Sequence, residues 1–375
     1  MDKPCTLQYL LQAQLRDYTR HHPLDAQRLK VCRHLLSCHT PALGGMAYQC
    51  DHCEQAVELY HSCRDRHCPQ CQQRASRQWR EQQQQSVIPV TYYHLVFTLP
   101  HELNGWVQLH PDVIYNLLFQ AVWKTLKAFG ADRKRLHGQL GLTAVLHTWG
   151  KNLSQHMHLH CLIPGGALGE GQHWHPAKSN YLFPIQALSR HYRGNLVSAL
   201  RCSADKGQLK RVTHSDEVDR VLNQLMQKDW VVYSKPCINR TDSVIGYLAG
   251  YTHRIAISNQ RIIGIDKDQV QFSYKDYRQN QSKIMTLDCN EFIRRFLLHV
   301  LPKGLMRIRH YGWLANRCRK ASLAIIRKIL ATPAPATPDN AVDLVLTYPC
   351  PKCRKGQLIP KRQLDPVPLA HPLPG

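Results

Sequence analysis

Between residues 156 and 160 the chain reads His156-Met157-His158-Leu159-His160. On a β-strand, residues two apart point to the same face. This register therefore lines three imidazoles along one side and sends Met157 and Leu159 into a core on the other. The run continues through Cys161, Leu162 and Ile163 and stops at Pro164-Gly165-Gly166, a strand-breaking sequence. One histidine on such a strand would be an ordinary structural residue. Three at period two call for another explanation, because neutral imidazoles present ring nitrogens that bind Mg, Mn or Zn. A metallo-β-lactamase-type hydrolase would need an aspartate in the pattern HxHxDH. Here Cys161 and Leu162 follow His160, which argues against that class.

The thiols concentrate in a different part of the chain. Of 15 cysteines, eight lie in the first 71 residues. The N-terminus is polar and lacks the apolar core of a secretory signal, so a cytoplasmic protein is expected and clustered thiols read as metal ligands rather than disulfides. Cys50-x2-Cys53 and Cys68-x2-Cys71, with 14 residues between them, make a four-thiolate tetrahedral zinc site the first expectation. Cys38, Cys63 and His67 are further candidate ligands, and with Cys32, His34 and His39 nearby there is material for a second zinc. Cys350-x2-Cys353 is half a knuckle, for which Cys318 and His310 are possible partners.

Charge points to a polyanion. Lys and Arg number 49 against 26 Asp and Glu, a net of +23, and each phosphate contact releases condensed counterions. Between Arg254 and Lys328 there are 16 basic and five acidic residues, with Tyr274, Tyr277, Tyr311 and Trp313 among them. Aromatic rings among positive charges suit single-stranded nucleic acid, whose bases can stack. Candidate DNA contacts are Arg64 and Arg66 beside the cysteines, then Arg254, Arg294, Arg295, Arg307 and Arg309.

Strand-like segments (VTYYHLVFTLP, LTAVLHTWG, WVVYSKP and a meander over 261–287) mix with helical ones without regular βαβ alternation. The fold class expected is α+β. Leucines at 7, 10, 11 and 15 suggest a helical lead-in, and SVIGYLAGYTHRIAI suggests a helix on which Tyr247 and Tyr251, four apart, share a face. A tyrosine hydroxyl is a weak nucleophile at its ordinary pKa and needs a polarised phosphate and nearby positive charge, such as Arg254.

The ordered set VFTLP, HTWGKNLSQHMHLHCLIPGG, YLAGYTHRIAIS, YKDYR and EFIRRFLLHVLPKGLMRIRHYGWLANR resembles the insertion sequence 91-type transposases, HUH (His–hydrophobic–His) single-strand endonucleases. ALGGMAYQCDHC and SCRDRHCPQCQ resemble their zinc-binding domain, and the likeness runs from about residue 30 to 355. The resemblance implies that His158 and His160 are the HUH pair holding Mg or Mn, with His156 or His253 as the candidate third ligand. Met157 stands where many members have proline. It implies nucleophilic tyrosines at Tyr247 and Tyr251, a 5′-phosphotyrosine intermediate, and single-stranded or hairpin element ends and target DNA as partners. It implies four regions: a zinc-binding, DNA-binding domain over 1–85, an antiparallel-sheet catalytic domain over 88–290, a basic helical extension over 291–345, and a tail over 346–375 whose proline-rich end is expected to be disordered. A plasmid replication initiator or relaxase would share the chemistry. A zinc-dependent DNA-binding regulator without catalysis would share the zinc block but leave the histidine strand unexplained.

Overall fold

Asp25 breaks the leucine-rich N-terminal segment into two helices. Its carboxylate accepts from the Arg28 N–H at 2.8 Å, and a side chain that satisfies a first-turn amide starts a helix rather than continuing one. In the computed structural model, which describes residues 5–84, 86–177, 181–212, 215–237, 246, 254–276, 279–333 and 348–368, the order begins α1 (Leu7–His21), α2 (Ala26–Ser37), β1 (Gly45–Cys50), β2 (Ala56–Tyr60) and α3 (Gln72–Gln84). It continues through β3 (Tyr92–Thr98), α4 (Asn104–Leu109), α5 (Pro111–Ala131), β4 (Gly141–Trp149), β5 (Gln155–Pro164), β6 (Gly166–Leu168), β7 (Trp174–Pro176), α6 (Ile185–Asp205), α7 (Ser215–Gln227) and β8 (Val232–Cys237). The last part is β9 (Ile262–Ile265), β10 (Gln269–Asp276), β11 (Gln281–Asp288), α8 (Cys289–Leu297), β12 (Ile308–Gly312), α9 (Arg319–Ile329), β13 (Tyr348–Pro349) and β14 (Gln357–Leu364). The class is α+β, as the sequence suggests, and among the described residues every paired strand is antiparallel.

The chain divides into two units, and each is discontinuous. The first gathers Met1–Ala75, Ile255–Val300 and Ala336–Gly375. In it, Leu7, Leu10, Leu11 and Leu15 of α1 are buried, and α1 packs on α2 and α8. The meander β9–β11 rests on α8 through Phe272 and Phe292, whose rings meet edge-on at 5.6 Å. A separate sheet runs β13-β14-β1-β2.

The second unit gathers Ser76–Arg254 and Leu301–Pro335. Its five-stranded sheet runs β12-β4-β5-β3-β8, which puts the histidine strand in the middle. Leu95 and Phe97 of β3, Leu142 and Leu146 of β4, and Met157, Leu159 and Cys161 of β5 enter one core with residues of α4 to α7. Those helices thus cover one face. The alternate residues, including His94, His147, His158 and His160, face the other way. β12 reaches this sheet through a glycine pairing, Gly312 opposite Gly141. At Gly312 φ is +63°, and a Cβ there would sit 1.6 Å from the Leu140 carbonyl oxygen, so only glycine fits.

These units divide the chain differently from the linear boundaries. Residues 255–290 belong with the N-terminal unit rather than with the five-stranded sheet. The stretch 291–345 is shared between units and supplies a sheet strand, β12. The tail contributes β14, which pairs with β1 along its length. Strand pairing between distant segments sets these boundaries, and composition along the chain does not signal it. The helix expected over 243–257 lies almost wholly outside the described residues, as do Tyr247, Tyr251 and His253. No helix among the described residues is long and apolar enough to cross a membrane.

Candidate metal centre and thiol cluster

Register across the sheet assembles the histidine site. β5 pairs with β4 so that His158 lies opposite His147, and His160 opposite Val145. One ring nitrogen from each of His147, His158 and His160 lies within 4.8 Å of the others. A bulge follows at once, between His147 and Trp149, and it turns Trp149 so that its ring stacks on His147 at 4.7 Å. Bulges of this kind re-aim side chains beside sites.

Hydrogen bonds fix how these rings present themselves. His158 Nδ1 lies 2.9 Å from the carbonyl oxygen of His156. A carbonyl only accepts, so Nδ1 carries the proton and Nε2 is left with its lone pair. His160 Nδ1 lies 2.9 Å from Nε2 of His94, a buried residue of β3. If Nδ1 of His160 donates there, its Nε2 is likewise available to a metal. Burial, the largest influence, holds His158 down to about 4 and pushes His160 lower still, with His147, His158, His94 and Arg254 adding positive field. His94 falls to about 4, chiefly through burial and then through Lys235. At neutral pH His94, His158 and His160 are therefore neutral, as metal ligation and its support require. Three imidazoles on one face, backed by a hydrogen-bonded fourth, fit a divalent cation with positions left open for substrate.

The N-terminal unit builds a closed site instead. Sγ of Cys38 lies 3.6 Å from Cys71 and 3.5 Å from Cys68, and Cys63 lies 3.6 Å from Cys71. A tetrahedron with zinc–sulfur bonds of ~2.3 Å has edges of about 3.8 Å, so these four thiols already stand at zinc spacing. Asp65 braces the loop between them. It accepts from the His67 ring and backbone, both at 2.8 Å, and from His34 at 2.9 Å. Burial alone would raise the Asp65 carboxyl, but the His67 hydrogen bonds and charge outweigh it and bring the group to about 2.

A family described as "Putative transposase" matches residues 141–322, and one described as "Transposase zinc-binding domain" matches residues 10–99. A Sinorhizobium fredii protein named "Putative transposase y4qJ" is 38% identical over 93% of this chain and 92% of its own length. The chain belongs to the insertion sequence 91-type transposase family. A transposase for insertion sequence element IS801 from Pseudomonas savastanoi pv. phaseolicola is 27% identical over 80% of this chain and 74% of its own. The first family match contains His147, His158 and His160, and the second contains all four thiols of the closed site.

Several expected residues of this transposase stand elsewhere than the sequence suggested. Cys50, Cys53, Cys68 and Cys71 do not form one site. Cys68 and Cys71 join Cys38 and Cys63, whereas Cys50 and Cys53 stand with Cys350 and Cys353. His67 braces Asp65 and is not in the thiol group. His156 is exposed and lies outside the imidazole group, to which it offers its backbone carbonyl. His147 takes the third position. It was missed because β4 is buried from Gly141 to Thr148 and reads as an apolar run; a histidine inside such a run was the available signal. His310 and Cys318 are engaged at Thr143 and Gly312.

The arginines divide in the same way. Arg294 and Arg295 both pair with Glu291 at 2.6 Å. Arg307 is buried and donates to the Arg254 carbonyl at 3.0 Å. Arg309 lies 4.1 Å over the Phe119 ring and donates to Asn116. Arg64 and Arg254 are exposed, and Arg66 is half-buried.

Proposed function

We propose that the protein cleaves and rejoins single-stranded DNA through a 5′-phosphotyrosine, in a rolling-circle type of transposition. The observation that carries this reading is the convergence of His147, His158 and His160 on the face of the central sheet opposite helices α4 to α7. Mg or Mn held there would act as a Lewis acid toward the scissile phosphate. Nitrogen donors bind Mn more readily than Mg, so Mn is the better fit to an all-imidazole set.

Arg254 stands close to the histidine group. Arg254 follows Tyr251 by three residues, its charge is felt at His160, and its carbonyl is held by Arg307. Arg307 is itself fixed to β4, since its carbonyl accepts from Leu146 N–H at 2.9 Å. Tyr247 or Tyr251 attacks phosphorus. A tyrosyl oxygen–phosphorus bond forms as the bond from phosphorus to the 3′ oxygen breaks, and that oxygen leaves as a free 3′-OH. The phosphodiester energy is kept for rejoining, and the second tyrosine takes a second transfer. The zinc unit and Arg64, Arg66 and Arg254 hold single-stranded or hairpin ends and target DNA. A regulator without catalysis has no use for three metal-ready imidazoles.

The test is covalent adduct formation between the full chain and a single-stranded oligonucleotide from the element end, with Mn or Mg. Wild type should form an adduct, and Tyr247→Phe with Tyr251→Phe should form none. Persistence of adduct in that double variant would refute the tyrosine assignment.

A further inference from the structure

Cys350 and Cys353 were half of a knuckle in the sequence, and the fold supplies the other half from 300 residues away. Cys50 Sγ lies 3.7 Å from Cys353 Sγ, and Cys53 Sγ lies 3.7 Å from Cys350 Sγ. All four thiols stand within 4.8 Å of one another. We propose that these four bind a second structural zinc ion, which clamps the C-terminal segment into the N-terminal domain.

The two loops share one backbone design. Glu54 N–H donates to the Cys50 carbonyl at 3.1 Å, and Arg354 N–H donates to the Cys350 carbonyl at 3.0 Å. The residue after each second cysteine takes a left-handed conformation, Glu54 at φ 58° and Arg354 at φ 56°. Backbone amides also point at sulfur: His52 and Cys53 N–H donate to Cys50 Sγ at 3.4 and 3.5 Å, and Gly356 N–H donates to Cys353 Sγ at 3.4 Å. Such donors stabilise thiolate over thiol, which is the ligand form. Left-handed non-glycine residues are uncommon and mark a conformation that surroundings impose. Two such loops facing each other with their sulfurs at tetrahedral spacing are a ligand set.

Gly356 makes the approach possible, since a Cβ there would lie 2.6 Å from Cys50 Sγ. Asp51 joins the halves, accepting from Gln357 N–H at 2.8 Å while its own N–H donates to the Gln357 carbonyl at 3.1 Å. The zinc-binding family match ends at residue 99, so it contains two of these ligands and none of their partners. The zinc domain is therefore completed by the far end of the chain.

The test is metal content and thiol protection in the full chain. With zinc as the only metal supplied and the histidine site blocked by His158→Ala, mass spectrometry under native conditions should find two zinc ions, falling to one in Cys350→Ser with Cys353→Ser. In the zinc-loaded protein, Cys350 and Cys353 should resist iodoacetamide together with Cys50 and Cys53, while exposed Cys202 reacts. That protection reads the unsubstituted cysteines, so it holds even where the serine variant folds poorly. One zinc in the His158→Ala protein, or Cys350 and Cys353 reacting as fast as Cys202, would overturn the second site.

Discussion

The thiol loops and the histidine face are both metal-ready, yet they are built for opposite ends. The cluster of Cys38, Cys63, Cys68 and Cys71 presents four sulfurs at tetrahedral spacing, so the protein fills every coordination position and leaves none for substrate. Its ligands come from loops, and their geometry depends on the site closing. The histidine group offers three nitrogens from two strands of a rigid sheet. The scaffold there is complete without a metal, because helices α4 to α7 bury the opposite face in an apolar core. A closed site holds a fold together, whereas an open site on a finished fold is free to hold a reacting group. Metal loss should therefore unfold one region and silence the other.

The largest effect expected is from zinc extraction. Structural zinc contributes on the order of 10 kcal/mol to small domains, so a strong chelator should abolish the thermal transition of the N-terminal unit. The same transition should survive in His158→Ala, which keeps every thiol. Calorimetry with and without chelator measures both. Next, His158→Ala and His160→Ala should each reduce DNA adduct formation by more than about 100-fold, because ligands matter more than the groups behind them, whose loss costs about 10–100-fold. Zinc content should not change.

His94→Ala should fall in that second range. It removes the hydrogen bond to His160, so the concentration of Mn giving half-maximal adduct should rise about 10–100-fold. The rate at saturating Mn should largely return, which distinguishes positioning from ligation. The smallest effect belongs to His156→Ala. The His156 carbonyl serves His158 and its ring lies outside the imidazole group, so adduct formation should change by less than about twofold, within the range of ordinary surface substitutions.

Much of the sheet was legible because period-two alternation forces a strand with two unlike faces. Met157 and Leu159 went to the core and His158 and His160 to the other face, as the spacing required. His147 was not legible, because it reaches the site by register across β4 and β5 rather than by spacing along the chain. The same limit misled the pairing of cysteines. Cys50-x2-Cys53 and Cys68-x2-Cys71 look like two halves of one site because they are near in sequence, but each has other partners in the fold. Local chemistry named most of the ligand types and none of the long-range pairings. Charge counting shared this weakness, since Arg294, Arg295, Arg307 and Arg309 each contribute to the basic total and each is engaged within the protein.

His147 carries the central claim, because the register of the sheet alone recruits it. The most direct measurement is the rate of Mn-dependent adduct formation on a single-stranded element-end oligonucleotide by His147→Ala, with zinc content and melting temperature recorded on the same sample. An open three-imidazole centre predicts a loss of more than about 100-fold with zinc and melting unchanged. Adduct formation at the wild-type rate would contradict it.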